Sequence, residues 1–314
     1  MEKEYKYSEE KTKGMVLPHN DDAEVADKRD TCTIGLSSGF RSLDRYIGGF
    51  KPGELIIIAT KPSVGKTSFA LSIAANMAFG ENPVPIGFFS VGMRGPSLIE
   101  RILASRGRIN LLKLKNGTIN PETIKRLLET ASEVFDYSKN FLIQDTPNIK
   151  LLEIQSQARL MVRQHQVKVI FIDDIDLVDL NPSNVNVLRS EQASQISGFL
   201  KQLALELEIP VICLYKGNTD VRTDRPPMLA ESRDSESIEQ DADLVILMDD
   251  QSNRLEEKVM IAQYEEENKD SENESRISVR PIKIIIVKQR NGSTGFFNLN
   301  FISEFVSFTE MEAF

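Results

Sequence analysis

Thr60-Lys61-Pro62-Ser63-Val64-Gly65-Lys66-Thr67 is the stretch whose reading decides the fold. It follows an apolar run, Leu55 to Ala59, and opens a helical pattern from Ser68 to Phe79. A buried strand, a tight loop ending in Gly-Lys-Thr and a helix together make a phosphate cradle, because the N–H groups of the loop and of the helix N-terminus point at an anion. Lys66 supplies a point charge for the outer phosphates of a nucleoside triphosphate, and the Thr67 hydroxyl is a Mg²⁺ ligand. The expected phosphate-binding set is Lys61, Ser63, Gly65, Lys66, Thr67 and Ser68. Thr60 stands where the usual pattern has its first glycine. The bland alternative is an ordinary Pro-Ser-Val-Gly turn. The strand before it and the helix after it decide for the cradle.

Working outward, apolar runs alternate with helical patterns. The strand-like runs are Leu55–Ala59, Ile86–Val91, Phe141–Ile143, Val169–Ile172, Val211–Leu214, Leu244–Met248 and Ile282–Val287. Helices are expected near Ser68–Phe79, Ser97–Ser105, Pro121–Val134, Leu151–His165 and Glu191–Glu208. Short, continuously apolar strands separated by helices predict an α/β fold, a mainly parallel sheet with helices on both faces. Gly295–Phe301 and Phe305–Phe308 read as a C-terminal antiparallel pair. Residues 1–33 are polar and aperiodic and read as an arm, so the main domain is expected over 34–314.

The 314 residues allow one large α/β domain or two small ones, and 40% hydrophobic content suffices for a core. No run of 18 apolar residues and no signal-peptide pattern is visible, which predicts a cytoplasmic protein with no membrane partner. Cys32 and Cys213 are the only cysteines, and His19 and His165 the only histidines. A disulfide or zinc framework is thereby excluded, and a histidine-based metal site or triad is not expected. The net charge is −9, of which Asp249 to Arg276 carries −6 from ten acidic and four basic residues. This acidic insertion, near 249–278, reads as a solvated loop. No basic excess of the kind common in nucleic-acid binders is present.

Val169 to Asp173 is an apolar strand ending in a carboxylate, where ligands sit in open α/β sheets. Asp173 is the expected metal-side carboxylate, beside Thr67.

Taken in order, these pieces resemble the motor domain of the bacterial replicative helicase family, the DnaB type. The matching segments are Gly39-Phe40-Arg41-Ser42-Leu43-Asp44 before Gly48-Gly49, Lys61 to Thr67, Phe88-Phe89-Ser90 before Met93, Phe171-Ile172-Asp173, Ser237 to Asp243, and Lys288-Gln289-Arg290-Asn291-Gly292. The resemblance implies a RecA-like P-loop NTPase fold with ATP and Mg²⁺ as cofactors. It also implies a homo-oligomer, usually a hexameric ring, that acts on single-stranded DNA in replication. A neighbouring subunit would insert Lys288 and Arg290 against the γ-phosphate. The catalytic set is then Lys66, Asp173, Asp174, Lys288 and Arg290, and Arg222, Arg225 and Arg233 are the DNA-binding candidates.

The chain departs from the family at working positions. Gly92 stands where the family has a catalytic Glu. Asp174 and Asp176 are the carboxylates that could replace it, or they begin a polar loop. Tyr215-Lys216 stands where a Ser-Gln pair senses the γ-phosphate, and Glu236 replaces a Gly in the DNA loop. Only about 33 residues precede the motor, where the family has a helical domain and a linker helix. Two functions follow: an ATP-driven helicase motor, or an ATP-binding relative that regulates or partners an intact replicative helicase without unwinding DNA itself.

Overall fold

The computed structural model describes residues 35–178, 189–216, 219–220, 228–229, 233–251 and 277–311. The arm at 1–33, most of the acidic insertion, Arg222, Arg225 and the side chain of Arg233 lie outside the described residues.

In chain order the elements begin with α1 (Arg41–Ile47), β1 (Leu55–Thr60), α2 (Lys66–Phe79), β2 (Ile86–Ser90), α3 (Gly95–Arg106), α4 (Leu111–Lys115), α5 (Pro121–Asp136) and β3 (Phe141–Gln144). There follow α6 (Leu151–His165), β4 (Val169–Asp173), α7 (Arg189–Leu207), β5 (Val211–Tyr215) and the short pair β6 (Thr219–Asp220) and β7 (Met228–Leu229). The last elements are α8 (Arg233–Asp241), β8 (Leu244–Asp250), β9 (Val279–Gln289), β10 (Gly295–Ile302) and β11 (Ser307–Glu310).

Nine strands form one sheet in the order β11-β10-β9-β8-β1-β5-β4-β2-β3. From β8 to β3 every pairing is parallel. The pairings β8–β9, β9–β10 and β10–β11 are antiparallel. The antiparallel part is thus one strand larger than the sequence pattern suggested. Ile282–Val287 is nearly as apolar as the parallel strands, Lys283 being its one charged residue, and apolarity reports burial, not direction.

Every residue of β1 is buried. Ile56 and Ile58 pack into one core with Phe69 and Ile73 of α2 and Leu98 and Ile102 of α3. Leu55, Ile57 and Ala59 pack into the other with Ile154 of α6 and Leu200 and Leu203 of α7. Alternate residues of a strand point to opposite faces, so one strand feeds both cores. Each fully buried Ile or Leu contributes about 1.5–3 kcal/mol.

Aperiodic positions hide three helices. α1 is seven residues long and ends at Gly48, whose φ of 68° is left-handed, the usual way to stop a helix. Asp44 of α1 accepts from the Ser37 hydroxyl at 2.6 Å and the Ser38 N–H at 2.9 Å. Glu310 of β11 accepts from the N–H and hydroxyl of Ser42, at 2.9 and 2.6 Å, and ties the last strand to α1. α4 and α8 are the other two.

Candidate nucleotide site

The site grows from the carboxyl ends of β1 and β4, with β5 between them. Thr60 is the last residue of β1, buried, and its hydroxyl bonds the Met248 carbonyl of β8 at 3.1 Å. A strand residue with a cross-strand partner therefore fills the position of the missing glycine. The loop then turns through two left-handed residues, Ser63 at φ 69° and Gly65 at φ 108°. A side chain at Gly65 would be strained by that φ and would meet the rings of Phe308 and Phe301 at 3.4–3.5 Å.

Gly65 caps α2 with no side-chain hydrogen bond to the helix end. The first N–H groups of a helix have no acceptor within it, so those of Lys66, Thr67 and Ser68 are directed at whatever occupies the loop. Ser68 itself is buried, and its hydroxyl faces Arg101 of α3 at 3.4 Å. What Ser68 presents at the helix end is its N–H.

Four side chains converge here. Thr67 Oγ1 donates to Asp173 Oδ2 at 2.8 Å. Lys66 Nζ is 2.5 Å from Asp174 Oδ2, with side chains only 11% and 16% exposed. Burial raises the pKa of Asp173, opposed by the Thr67 hydrogen bond and the Lys66 charge. A buried carboxylate against a hydroxyl, at the mouth of an anion cradle, is a hard-oxygen pair suited to Mg²⁺ that is shared with phosphate oxygens. Arg101 lies behind them. Burial lowers its pKa, Asp173 opposes that, and its Nε has no hydrogen-bond partner.

Asp174 and Asp176 separate clearly. Asp174 reaches into the loop and meets Lys66. Asp176 turns toward β5 and accepts the Lys216 N–H at 2.8 Å. Surrounding protein and the Asp174 charge push its pKa up to about 7, although its side chain reaches solvent. Gly92 is exposed just beyond β2, in a turn held by the Ser90 hydroxyl on the Met93 carbonyl at 2.7 Å. A Cβ there would meet only the Leu177 side-chain tip, at 3.3 Å.

Lys288 and Arg290 are not brought to this site. Lys288 sits opposite Val245, and Gln289 opposite Leu244, at the start of β8. Leu244 lies beside Ile56, whereas Met248 lies beside Thr60. At about 3.3 Å per residue the cations are roughly 13 Å down the strand from the phosphate loop. Lys288 Nζ donates to the Glu239 and Gln240 carbonyls at 2.5 and 3.0 Å, and Arg290 Nη2 to that of Gln240 at 2.9 Å. Burial, then Arg290, lowers the pKa of Lys288. Lys61 is exposed at the head of the loop, and Arg233 opens α8. Sequence reasoning missed Arg101, though a cation three residues after buried Leu98 and beside buried Ile102 is a readable anomaly on an apolar helix face.

A phosphate loop on a doubly covered parallel strand, with a carboxylate ending the strand two places away, defines a RecA-like P-loop nucleoside-triphosphatase fold. The sequence pattern of the DnaB-like helicase C terminal domain family matches residues 35–310. The chain belongs to that family. The replicative DNA helicase DnaB of Geobacillus stearothermophilus is 36% identical over 96% of this chain and 62% of its own length. The replicative DNA helicase DnaC of Bacillus subtilis is 33% identical over the same shares. The chain thus spans about three-fifths of the length of these relatives. Among solved structures, a DnaB-like replicative helicase described with its interactions with primase gives a TM-score of 0.73 at 31% identity, over 92% of this chain and 64% of that one. A separately solved ATPase domain gives 0.74 at 32% identity, over 90% and 93%. Among the described residues no helix is long and apolar enough to cross a membrane.

Proposed function

We propose that this chain is the ATP-driven motor domain of a DnaB-type DNA helicase. It holds ATP and Mg²⁺ at the β1–α2 loop and, within a ring of like subunits in the cytoplasm, couples hydrolysis to movement on single-stranded DNA. The observation that carries this reading is the convergence of Lys66, Thr67, Asp173 and Asp174 at the ends of β1 and β4.

The roles follow from chemistry. The loop and helix N–H groups hold the phosphates, and Lys66 leaves Asp174 to meet the outer ones. Thr67 and Asp173 would hold Mg²⁺, which would supply positive charge to offset that of the phosphates. Asp174, released from Lys66, takes the proton of the attacking water as its oxygen bonds to the γ-phosphorus and the bond to the bridging oxygen breaks. This assigns to Asp174 the work that Gly92 cannot do. Lys288 and Arg290 serve the site of a neighbouring subunit, since the pairing of β9 with β8 holds them at the far end from their own. Contact with the DNA backbone is assigned to Arg222, Arg225 and Arg233, on the chemistry of their guanidinium groups.

A second reading, an ATP-binding partner of an intact replicative helicase, is favoured by Gly92 and Lys216. Steady-state ATP hydrolysis with and without single-stranded DNA, beside Lys66→Ala and Asp174→Asn, separates the two. DNA-stimulated turnover lost in both variants supports the motor. Turnover no higher than that of Lys66→Ala, with ATP binding intact, replaces it with the second reading.

A further inference from the structure

Asp243 links the start of β1 to the segment that carries Lys288 and Arg290. Its carboxylate is 9% exposed, and it is divided. Oδ2 accepts the Leu55 N–H at 2.8 Å and Lys201 Nζ at 2.6 Å, which fixes it to the start of β1 and to α7. Oδ1 lies 3.5 Å from Arg290 Nε. The backbone repeats the link, with the Arg290 N–H on the Asp243 carbonyl and the Asp243 N–H on the Leu55 carbonyl, both at 2.9 Å. Just before Asp243, the last carbonyls of α8 hold Lys288 and the other end of the Arg290 fork.

We infer that Asp243, with the C-terminal turn of α8, is a positioning residue that pre-orients Arg290 and Lys288 for the nucleotide of the adjacent subunit. This rests on the proposed role of those cations in trans. Long cationic side chains lose rotamer freedom when they dock, and holding them beforehand lowers that cost. Carbonyl oxygens at a helix C-terminus attract cations but are neutral acceptors. They yield to a phosphate, which binds the same donors more strongly. One carboxylate fixed to β1 keeps Arg290 aimed while the carbonyls are exchanged.

The test measures the affinity of the full chain for a non-hydrolysable ATP analogue relative to ADP, a preference that γ-phosphate contacts create and that needs no turnover. Asp243→Asn is expected to cut this preference about two- to fivefold, the loss of one half-exposed ion pair, with ADP affinity unchanged. Mixing Asp243→Asn with Lys66→Ala subunits should restore it, because the latter bind no nucleotide but offer intact cations. Arg290→Ala mixed with Lys66→Ala is the reference. Rescue there without rescue of Asp243→Asn overturns the inference and leaves the trans reading standing. No rescue in either mixture removes the trans reading itself. Lys201→Met loosens the same anchor without touching Arg290, so a drop equal to that of Asp243→Asn would make the role one of fold support and overturn the inference. Where Asp243→Asn fails to fold, Asp243→Glu keeps the charge for Lys201 and displaces the oxygen beside Arg290, with the same drop expected.

Discussion

Asp174→Asn should move binding and turnover in opposite directions. Without nucleotide, Lys66 Nζ is 2.5 Å from Asp174 Oδ2, and neither side chain is more than 16% exposed. ATP must take Lys66 from that carboxylate. A hydrogen bond between charged groups contributes about 1.5–3 kcal/mol, so removing the competitor should tighten ATP binding by about 10- to 100-fold. The neutral amide still accepts a weaker hydrogen bond, which favours the lower figure. The same change removes the proposed base, and loss of a general base lowers turnover by about 10²–10⁴-fold. Titration with a fluorescent ATP analogue reads the first effect, and single-turnover hydrolysis at saturating ATP reads the second. Weaker binding would mean that Asp174 does not compete with phosphate for Lys66. Unchanged turnover would mean that the proton goes elsewhere.

Other outcomes follow from the same geometry. Gly92→Glu introduced into Asp174→Asn should recover at least about tenfold of the lost turnover, since only the tip of Leu177 must yield to the new Cβ; hydrolysis that stays flat would show that the end of β2 is not within reach of the water. Lys66→Ala should abolish nucleotide binding, read by equilibrium dialysis, and retained affinity would refute the site. Asp176→Asn should raise the melting temperature of the nucleotide-free protein more at pH 8 than at pH 5. The folded-state pKa of about 7 exceeds the usual value near 4, so the native carboxyl loses stability as pH climbs through that window and the amide does not. An advantage that is flat with pH would contradict that shift. Arg101→Met should lower the Mg²⁺ concentration needed for tight ATP binding, because the site loses a positive charge close to Asp173 that repels the ion; an unchanged Mg²⁺ titration would show that Arg101 does not act on the metal side.

The phosphate loop and the parallel half of the sheet were legible because both write themselves locally. Leu55 to Thr60 is apolar without interruption, and Gly65-Lys66-Thr67 follows at the spacing that the chemistry needs. The place of Asp173 at the end of its strand was legible for the same reason. Direction in the sheet was not, since the apolar middle of β9, Ile284 to Val287, reads like a parallel core strand. The sequence put Asp174 in the catalytic set and kept Asp176 as a second option, but it could not show their different partners. They are two residues apart, and a short turn sends one to Lys66 and the other to the Lys216 N–H. α8 was missed because polar residues dominate it, with Ile238 its one fully buried side chain among those described. The placement of Lys288 and Arg290 depends on the registers of β8 and β9, which are long-range and leave no mark on local pattern.

β1 is covered on both faces and paired on both edges, by β5 and β8. Amides in such a strand exchange with solvent only when the whole domain opens, whereas Lys61, Pro62 and Ser63 beyond it are exposed. Deuterium uptake should therefore change abruptly between Thr60 and Ser63. The loop that closes on the phosphate groups is thus anchored to a strand buried along its whole length, so its flexing need not loosen the strand beneath it.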